Sequence, residues 1–570
     1  MYSYQLVTMS WIKRVKRGNL IYLYECTSVR ENGKVKSKLL KYLGVESDVP
    51  KVPKPKTKRI NPEQICPTRS FRAGDVALLW HVAKLTNMIN IIDRICIGQE
   101  NVEGPSPGKF LTIWAINRAL DPQSATQIES WVPTTILPQL AGIKPERFTK
   151  EAILSALDAI CVSSKTTGRV QSLIPQIEEV LYQKWRLDNP INAEKDEQYA
   201  FDLTPLISFS QTCPLSEAGY KTRQTKQLQI NLSLFASKED RYPITHIVHP
   251  GSFQSITTVT NLIVRLREFA IPPGTIIWDR GNTSTTTIRE IESLEWNVIC
   301  GVSKTLKRVK EILAVTDPPI KPEYLVDSKA MNLYATKVED SLYGNQGAVT
   351  VYTNIDRKIS DLKKRNVAIL EITRDLKKLE ENARSMSLDK LQSLVDEAMG
   401  EWGRFFKISI KSEEHETKLI WSPDEGERDL AEKFDGKWLI YASDPSLTSE
   451  HVVKSYIEKD FIEKLFENVK SYEEIQPLRH RLESRVFAII FVCTLALRLK
   501  AALRWIIHAN KQESDLSVEM LMKKLEHVEY VEFNVGDSTD AYFINMQKKT
   551  LKYLSDVGLD IAFEGKVKTL

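Results

Sequence analysis

Near residue 197 the hydrophobic period of the chain changes, and that change limits the fold more than any other feature. Upstream, "DVALLWHVAKL", "KFLTIWAINRAL", "KEAILSALDAI" and "RVQSLIPQIEEVLYQKW" place apolar residues three to four apart, as helices do. Downstream come three strand-like runs, "QYAFDLTPLISF", "QLQINLSLFA" and "YPITHIVHPG". A helical pattern follows in "ITTVTNLIVRLREFA", then the strand "GTIIWDRG", the helix "STTTIREIESL" and the strand "WNVICGVSK". The predicted order is βββαβαβ with one more helix owed, which implies a mixed sheet carrying helices on both faces.

That order resembles the ribonuclease-H-like arrangement, an α/β fold. Its core spans 195–305 and then breaks off. Residues 306–435 contain the charge-rich helical run "ISDLKKRNVAILEITRDLKKLEENARSMSLDKLQSLVDEAM" between short strand-like pieces, and read as an insertion folded on itself. The core resumes over 436–510 with the strand "KWLIYASD", the stretch "SYIEKDFIEKLFENVK" and a buried helix. An αβ tail covers 511–570. Ahead of the core lies a helical region, 66–190, suited to DNA binding or dimerisation. The first 60 residues read as a basic β-hairpin region turning at Asn32-Gly33, a pair that tolerates positive φ. The basic linker "VPKVPKPKTKRINP" follows it.

Charge separates these parts. Residues 1–60 carry 14 Lys/Arg against 4 Asp/Glu, while the remaining 510 carry 65 against 70. A basic module on a mildly acidic body points to a polyanion, most simply nucleic acid. Seven scattered cysteines without a CxxC pair argue against a zinc ribbon or a disulfide scaffold, and fit a reducing cytoplasm. His246 and His249 are too few for a metal site. The longest apolar run, "VFAIIFVCTLAL", has 12 residues, short of the roughly 20 a bilayer span needs, so no membrane association is expected. Neither a GxxxxGK[ST] phosphate loop nor HExxH occurs, which excludes the commonest nucleotide-driven and zinc-peptidase chemistries.

Two acids stand out by position. Asp202, in "YAFDLT", lies within an apolar strand, and Asp279, in "TIIWDRGN", closes the fourth strand. A carboxylate in such a place needs a partner, either a cation such as Arg280 or a divalent metal ion. Four further acids crowd into Ser455–Lys470. On a single helix with Tyr456 at zero, Lys459 falls at about 300°, Glu463 at about 340° and Lys470 at about 320°. Apolar Ile457, Phe461, Ile462, Leu465, Phe466 and Val469 fall between about 100° and 280°. Glu458 points among them, at about 200°, while Asp460 and Glu467 sit near about 40° and 20°. Helical phase alone leaves Glu463 and Glu467 both open.

The spacing Tyr456–Lys459–Glu463–Lys470, Y-x2-K-x3-E-x6-K, resembles the Y-x2-R-x3-E-x6-K signature of insertion-sequence transposases of the DDE superfamily. "FDLT" and "IIWDRG" resemble the surroundings of that family's two aspartates. "WVPTTILPQLAGI" and "IQPLRHRLESRVFAIIFVCTLAL" also look like sections of these proteins. Lys459 is the departure: charge is kept, but the planar fork of Arg is lost. The resemblance implies that Asp202, Asp279 and Glu463 hold two Mg²⁺ ions, or Mn²⁺ in their place, for phosphoryl transfer. It also implies that Tyr456, Lys459 and Lys470 grip phosphates of double-stranded DNA, at terminal inverted repeats and target. A homodimer on DNA in a prokaryotic, nucleoid-associated setting goes with it. In such proteins the insertion touches the element's end; Trp402 and Trp421 are its available aromatics, with ordinary core packing the expected place for both. The alternatives are an inactivated derivative that only binds DNA, and a ribonuclease-H-like nuclease that only hydrolyses.

Overall fold

A computed structural model describes residues 10–17, 20–31, 34–45, 65–163, 170–190, 196–219, 227–269, 271–327, 332–344, 346–413, 416–510, 516–535, 538–563 and 567–569. The Asn32-Gly33 turn and the basic linker lie outside the described residues. The chain divides into two units, one of residues 1–68 with 532–540, the other of 69–531 with 541–570.

In the first unit, strands Ser10–Arg17, Leu20–Glu31 and Lys34–Val45 pair antiparallel in chain order, so the basic region is a three-stranded sheet.

The second unit is built on a mixed sheet. Its strands are β1 (Gln198–Ser208), β2 (Leu228–Ser237), β3 (Pro243–Pro250), β4 (Thr275–Trp278) and β5 (Asn297–Gly301). They continue with β6 (Leu333–Val338), β7 (Ala348–Asn354) and β8 (Lys437–Ala442). The spatial order is β3-β2-β1-β4-β5-β8-β7-β6. β1, β4 and β5 run parallel, and the other pairs are antiparallel. The helices α1 (Ser255–Glu268) and α2 (Thr285–Glu292) connect β3 to β4 and β4 to β5. The strand order 3-2-1-4-5 with its one parallel trio is compatible with a ribonuclease-H-like core. β4 is fully buried and apolar after its first residue, Thr275, as suits a central parallel strand.

The structure corrects the expected insertion. Residues 333–354 do not fold within it; they form β6 and β7, which extend the main sheet beyond β8. What folds on its own core begins after β7. It comprises α3 (Ile355–Asn382), α4 (Leu388–Met399), the hairpin Phe406–Glu413/Glu416–Pro423 and a short helix, Glu425–Glu432. Leu376, Leu391, Val395 and Phe405 fill that core, and Trp402 and Trp421 pack against it half-buried. The chain enters and leaves it through one clamp. Asn354 N–H donates to Gly436 O at 2.8 Å, and Arg365 makes two hydrogen bonds to Asp435, at 2.8 and 2.6 Å. Gly436 has φ +61°, and a Cβ there would stand 2.6 Å from Asn354 O, so glycine is required.

After β8 come α5 (Ser449–Glu458), α6 (Phe461–Glu467) and α7 (Glu483–Asn510). α7 shares one core with the helices of the 74–188 region and with Leu521, Leu525 and Leu554 of the C-terminal tail. Residues Glu483–Ala509 are long and apolar enough to cross a membrane by length and composition, and 89% of that apolar window is buried inside the protein. Arg498, which interrupts the apolar run in the sequence, is 1% exposed and pairs with buried Glu178 at 2.9 Å. The helix therefore carries on through it. His246 belongs to the same cluster, with Nδ1 2.8 Å from Glu178, while His249 meets Ser233 Oγ at 2.9 Å.

Candidate active site

The parallel register places the two aspartates. Trp278 of β4 stands opposite Phe201 of β1, so the next residues, Asp279 and Asp202, lie level at adjacent strand positions. On the other side Trp278 faces Cys300, which brings Gly301 beside Asp279. A Cβ on Gly301 would lie 2.4 Å from Tyr456 Oη, so its bare backbone makes room for that ring.

The single helix expected over 455–470 is broken. α5 ends at Glu458, Lys459 and Asp460 form a tightened turn, α6 begins at Phe461, and a π-turn over Asn468–Tyr472 ends it. Burial explains the break. α5 packs Val452 and Val453 against Ile277 and Ile299 of the sheet, whereas α6 sends Phe461, Ile462, Leu465, Phe466 and Val469 into the α7 core. With Tyr456 at zero, α5 turns inward a sector of about 320° to 60° and α6 one of about 140° to 280°. One straight helix cannot bury opposed faces in two cores. The stripe of Tyr456, Lys459 and Glu463 therefore goes from inside to outside along its length. Lys459 is 5% exposed, and Glu463 and Glu467 are exposed. Glu458 does not sit among apolar residues but on the surface, paired with Lys238 at 2.8 Å.

Asp202, Asp279, Glu463, Glu467 and Lys470 line one open groove of about 650 Å³, together with Ser255, Arg280 and Asn282. Tyr456 Oη donates to Asp279 Oδ1 at 2.9 Å, and Lys459 Nζ lies 2.8 Å from the same oxygen. Tyr456 and Lys459 thus address Asp279 from the sheet side, while Lys470 stands at the groove. Asp202 accepts from the Leu203 backbone N–H at 2.8 Å. Burial pushes its carboxyl up to about 6, and the charges of Asp279 and Glu463 add to that against the pull of Lys459. Burial works against the charge of Lys459, but Asp279, Asp202 and Glu463 outweigh it and hold the ammonium above its ordinary range. Tyr456 is raised by burial and by Asp279. The three acids and one lysine form a coupled set.

No protein-family model matches the chain, and no curated protein matches it. Among solved structures it is similar to piggyBac transposase in a cryo-EM synaptic complex with hairpin DNA. The identity is 10%, the match covers 81% of this chain and 82% of that one, and the TM-score is 0.35. At that TM-score the likeness carries no argument.

The donor set suits a hard divalent cation, being made of carboxylate oxygens. A further oxygen, Asn282 Oδ1, is buried in the groove wall with no hydrogen-bond partner. Among the described residues no three acids, histidines or cysteines stand close enough to form a ready metal cluster. Asp279 is instead committed to Lys459 and Tyr456. Asp202, Asp279 and Glu463 fit Mg²⁺ by chemistry, with Oδ1 of Asp279 already shared by Lys459 and Tyr456.

Two positions here are not singled out by the sequence, Gly301 and Asn282. Gly301 carried a signal, since a glycine closing a buried strand marks close approach. Asn282 carried none beyond its neighbourhood to Asp279. Glu467, which helical phase leaves open beside Glu463, lines the same groove.

Proposed function

We propose that the chain is a DNA transposase of the DDE superfamily, which cleaves the ends of an insertion element and joins them to target DNA. The observation that carries this reading is the convergence of Asp202, Asp279 and Glu463 on one groove, from β1, β4 and α6, beside the Y-x2-K-x3-E-x6-K residues. In this reading the three acids hold two Mg²⁺ ions, or Mn²⁺. When bound, the ions supply a metal-activated nucleophile, water or a 3′-hydroxyl, and charge for the leaving oxygen. The residues of the chain do the rest. β1 and β4 fix the two aspartates on a rigid sheet, and α6 brings Glu463 across from another core. Tyr456 and Lys459 orient Asp279. Exposed Arg280 and half-exposed Lys470 offer charge to phosphates of double-stranded DNA entering the groove. Two copies, each gripping one element end, would form the working assembly.

The test is cleavage and joining of DNA carrying the element's terminal inverted repeats. Glu463→Gln is expected to abolish both while binding persists, and Glu467→Gln to lower them only a few-fold, about 0.5–1 kcal/mol in barrier. Retained cleavage in the Glu463 variant overturns the assignment. Cleavage by the wild type with no joined product favours a nuclease that only hydrolyses.

A further inference from the structure

Lys459 is buried beside Asp279, within the field of Asp202 and Glu463, and it is held there from two sides. Its Nζ lies 2.8 Å from Asp279 Oδ1 with the side chain 7% exposed, and 5.2 Å from the centroid of the Tyr456 ring. Tyr456 in turn donates to that same Asp279 oxygen. The charges of Asp202 and Glu463 also act on this ammonium. A lysine meant to reach a DNA phosphate would keep its head in water; this one has its head on the Asp279 carboxylate.

The geometry points to Lys459 as an internal cation that competes with divalent metal for Asp279. The inference rests on the proposed metal role of Asp202, Asp279 and Glu463. The ammonium neutralises part of the clustered negative charge and locks the Asp279 carboxylate with the help of Tyr456. Both contacts fall on Oδ1, so a divalent ion taking Asp279 must either displace the ammonium there or bind through the other oxygen beside a fixed positive charge, and in both cases Lys459 opposes it. Lysine suits the task better than arginine, because a compact ammonium on a flexible four-carbon stem can swing away from a carboxylate without breaking a two-pronged grip. The device sets a threshold for metal loading and keeps like charges apart below it.

The experiment is a calorimetric titration of the full-length protein with Mn²⁺, with no DNA present. Lys459→Met keeps the length and bulk of the stem and removes the charge; it is expected to bind Mn²⁺ at least about tenfold more tightly than wild type, the size of effect one neighbouring charge has on a carboxylate. Lys459→Arg keeps the charge and should stay near or below wild-type affinity. If Lys459→Met melts early, Lys459→Gln, which still donates to Asp279, gives the same comparison. Unchanged or weaker Mn²⁺ binding in the uncharged variants overturns the inference. Asp202→Asn and Asp279→Asn separate the two levels. If they leave wild-type Mn²⁺ binding intact, the metal role of the acids fails and the lysine's with it. If they abolish binding while Lys459→Met does not tighten it, only the lysine's role fails.

Discussion

Asp202 holds an elevated carboxyl because it is buried and because Asp279 and Glu463 lie close, and this makes a prediction about stability. Between the ordinary carboxylate range and about 6 the folded state keeps a proton that the unfolded chain has lost. The stabilising contribution of this group is therefore present at low pH and is lost as pH rises through about 6. Asp202→Asn removes the charge that has to be tolerated above that point. In divalent-free buffer at about pH 8 the variant is expected to be more stable than wild type by about 1–3 kcal/mol, and about equal to it near pH 4. Thermal melting across that range checks it, and a lower melting temperature at the high end refutes it. The aspartates were legible because a charge inside an apolar strand demands a partner. The place of Lys459 was not, since helical phase gives a direction but not which core lies on that side. Only the change of core between Val453 and Phe461 leaves the Tyr456 and Lys459 end of that stripe inside and the Glu463 end outside.

Elements of the main sheet were legible from period alone: β1 to β5, α1 and α2 form where alternation and three-to-four spacing predict them. β6 and β7 were not assigned to the sheet, because their place depends on β8 returning beside β7 after some eighty residues, and no local pattern encodes so distant a pairing. α7 shows another such dependence. Its Arg498 is tolerated because Glu178, 0% exposed, lies opposite, with His246 Nδ1 on the same carboxylate oxygen, Oε1. Although burial opposes its charge, His246 and Arg498 hold Glu178 at about 2. Arg498→Met strands that carboxylate and is expected to cost about 3–5 kcal/mol, read as a fall in the urea midpoint. Glu178→Gln with Arg498→Met should recover part of the loss, since both members of the pair are then uncharged. A double variant no better than the single one would show that α7 depends on Arg498 through its hydrogen bonds to the Pro243 and Ile244 carbonyls and its packing, not through the ion pair.

At the scale of the whole chain, positive charge is concentrated at one end and the acids at the groove of the other unit. The basic segment forms its own three-stranded sheet, on which Lys13, Lys16 and Lys38 are exposed. If this sheet provides backbone contacts to DNA, its contribution is electrostatic and indifferent to sequence. Each phosphate neutralised releases counterions and adds about 0.9 to the slope of log affinity against log salt. Replacing the three lysines by glutamine is then expected to flatten that slope by up to about 2.7 and to weaken binding equally for repeat and unrelated DNA. The cleavage rate at saturating DNA should stay at the wild-type level, because none of the three belongs to the groove of Asp202, Asp279 and Glu463. Fluorescence anisotropy over a salt series, paired with single-turnover cleavage, measures both. A slope equal to wild type removes the sheet from the DNA contact, and a lost cleavage rate at saturation ties it to the chemistry instead.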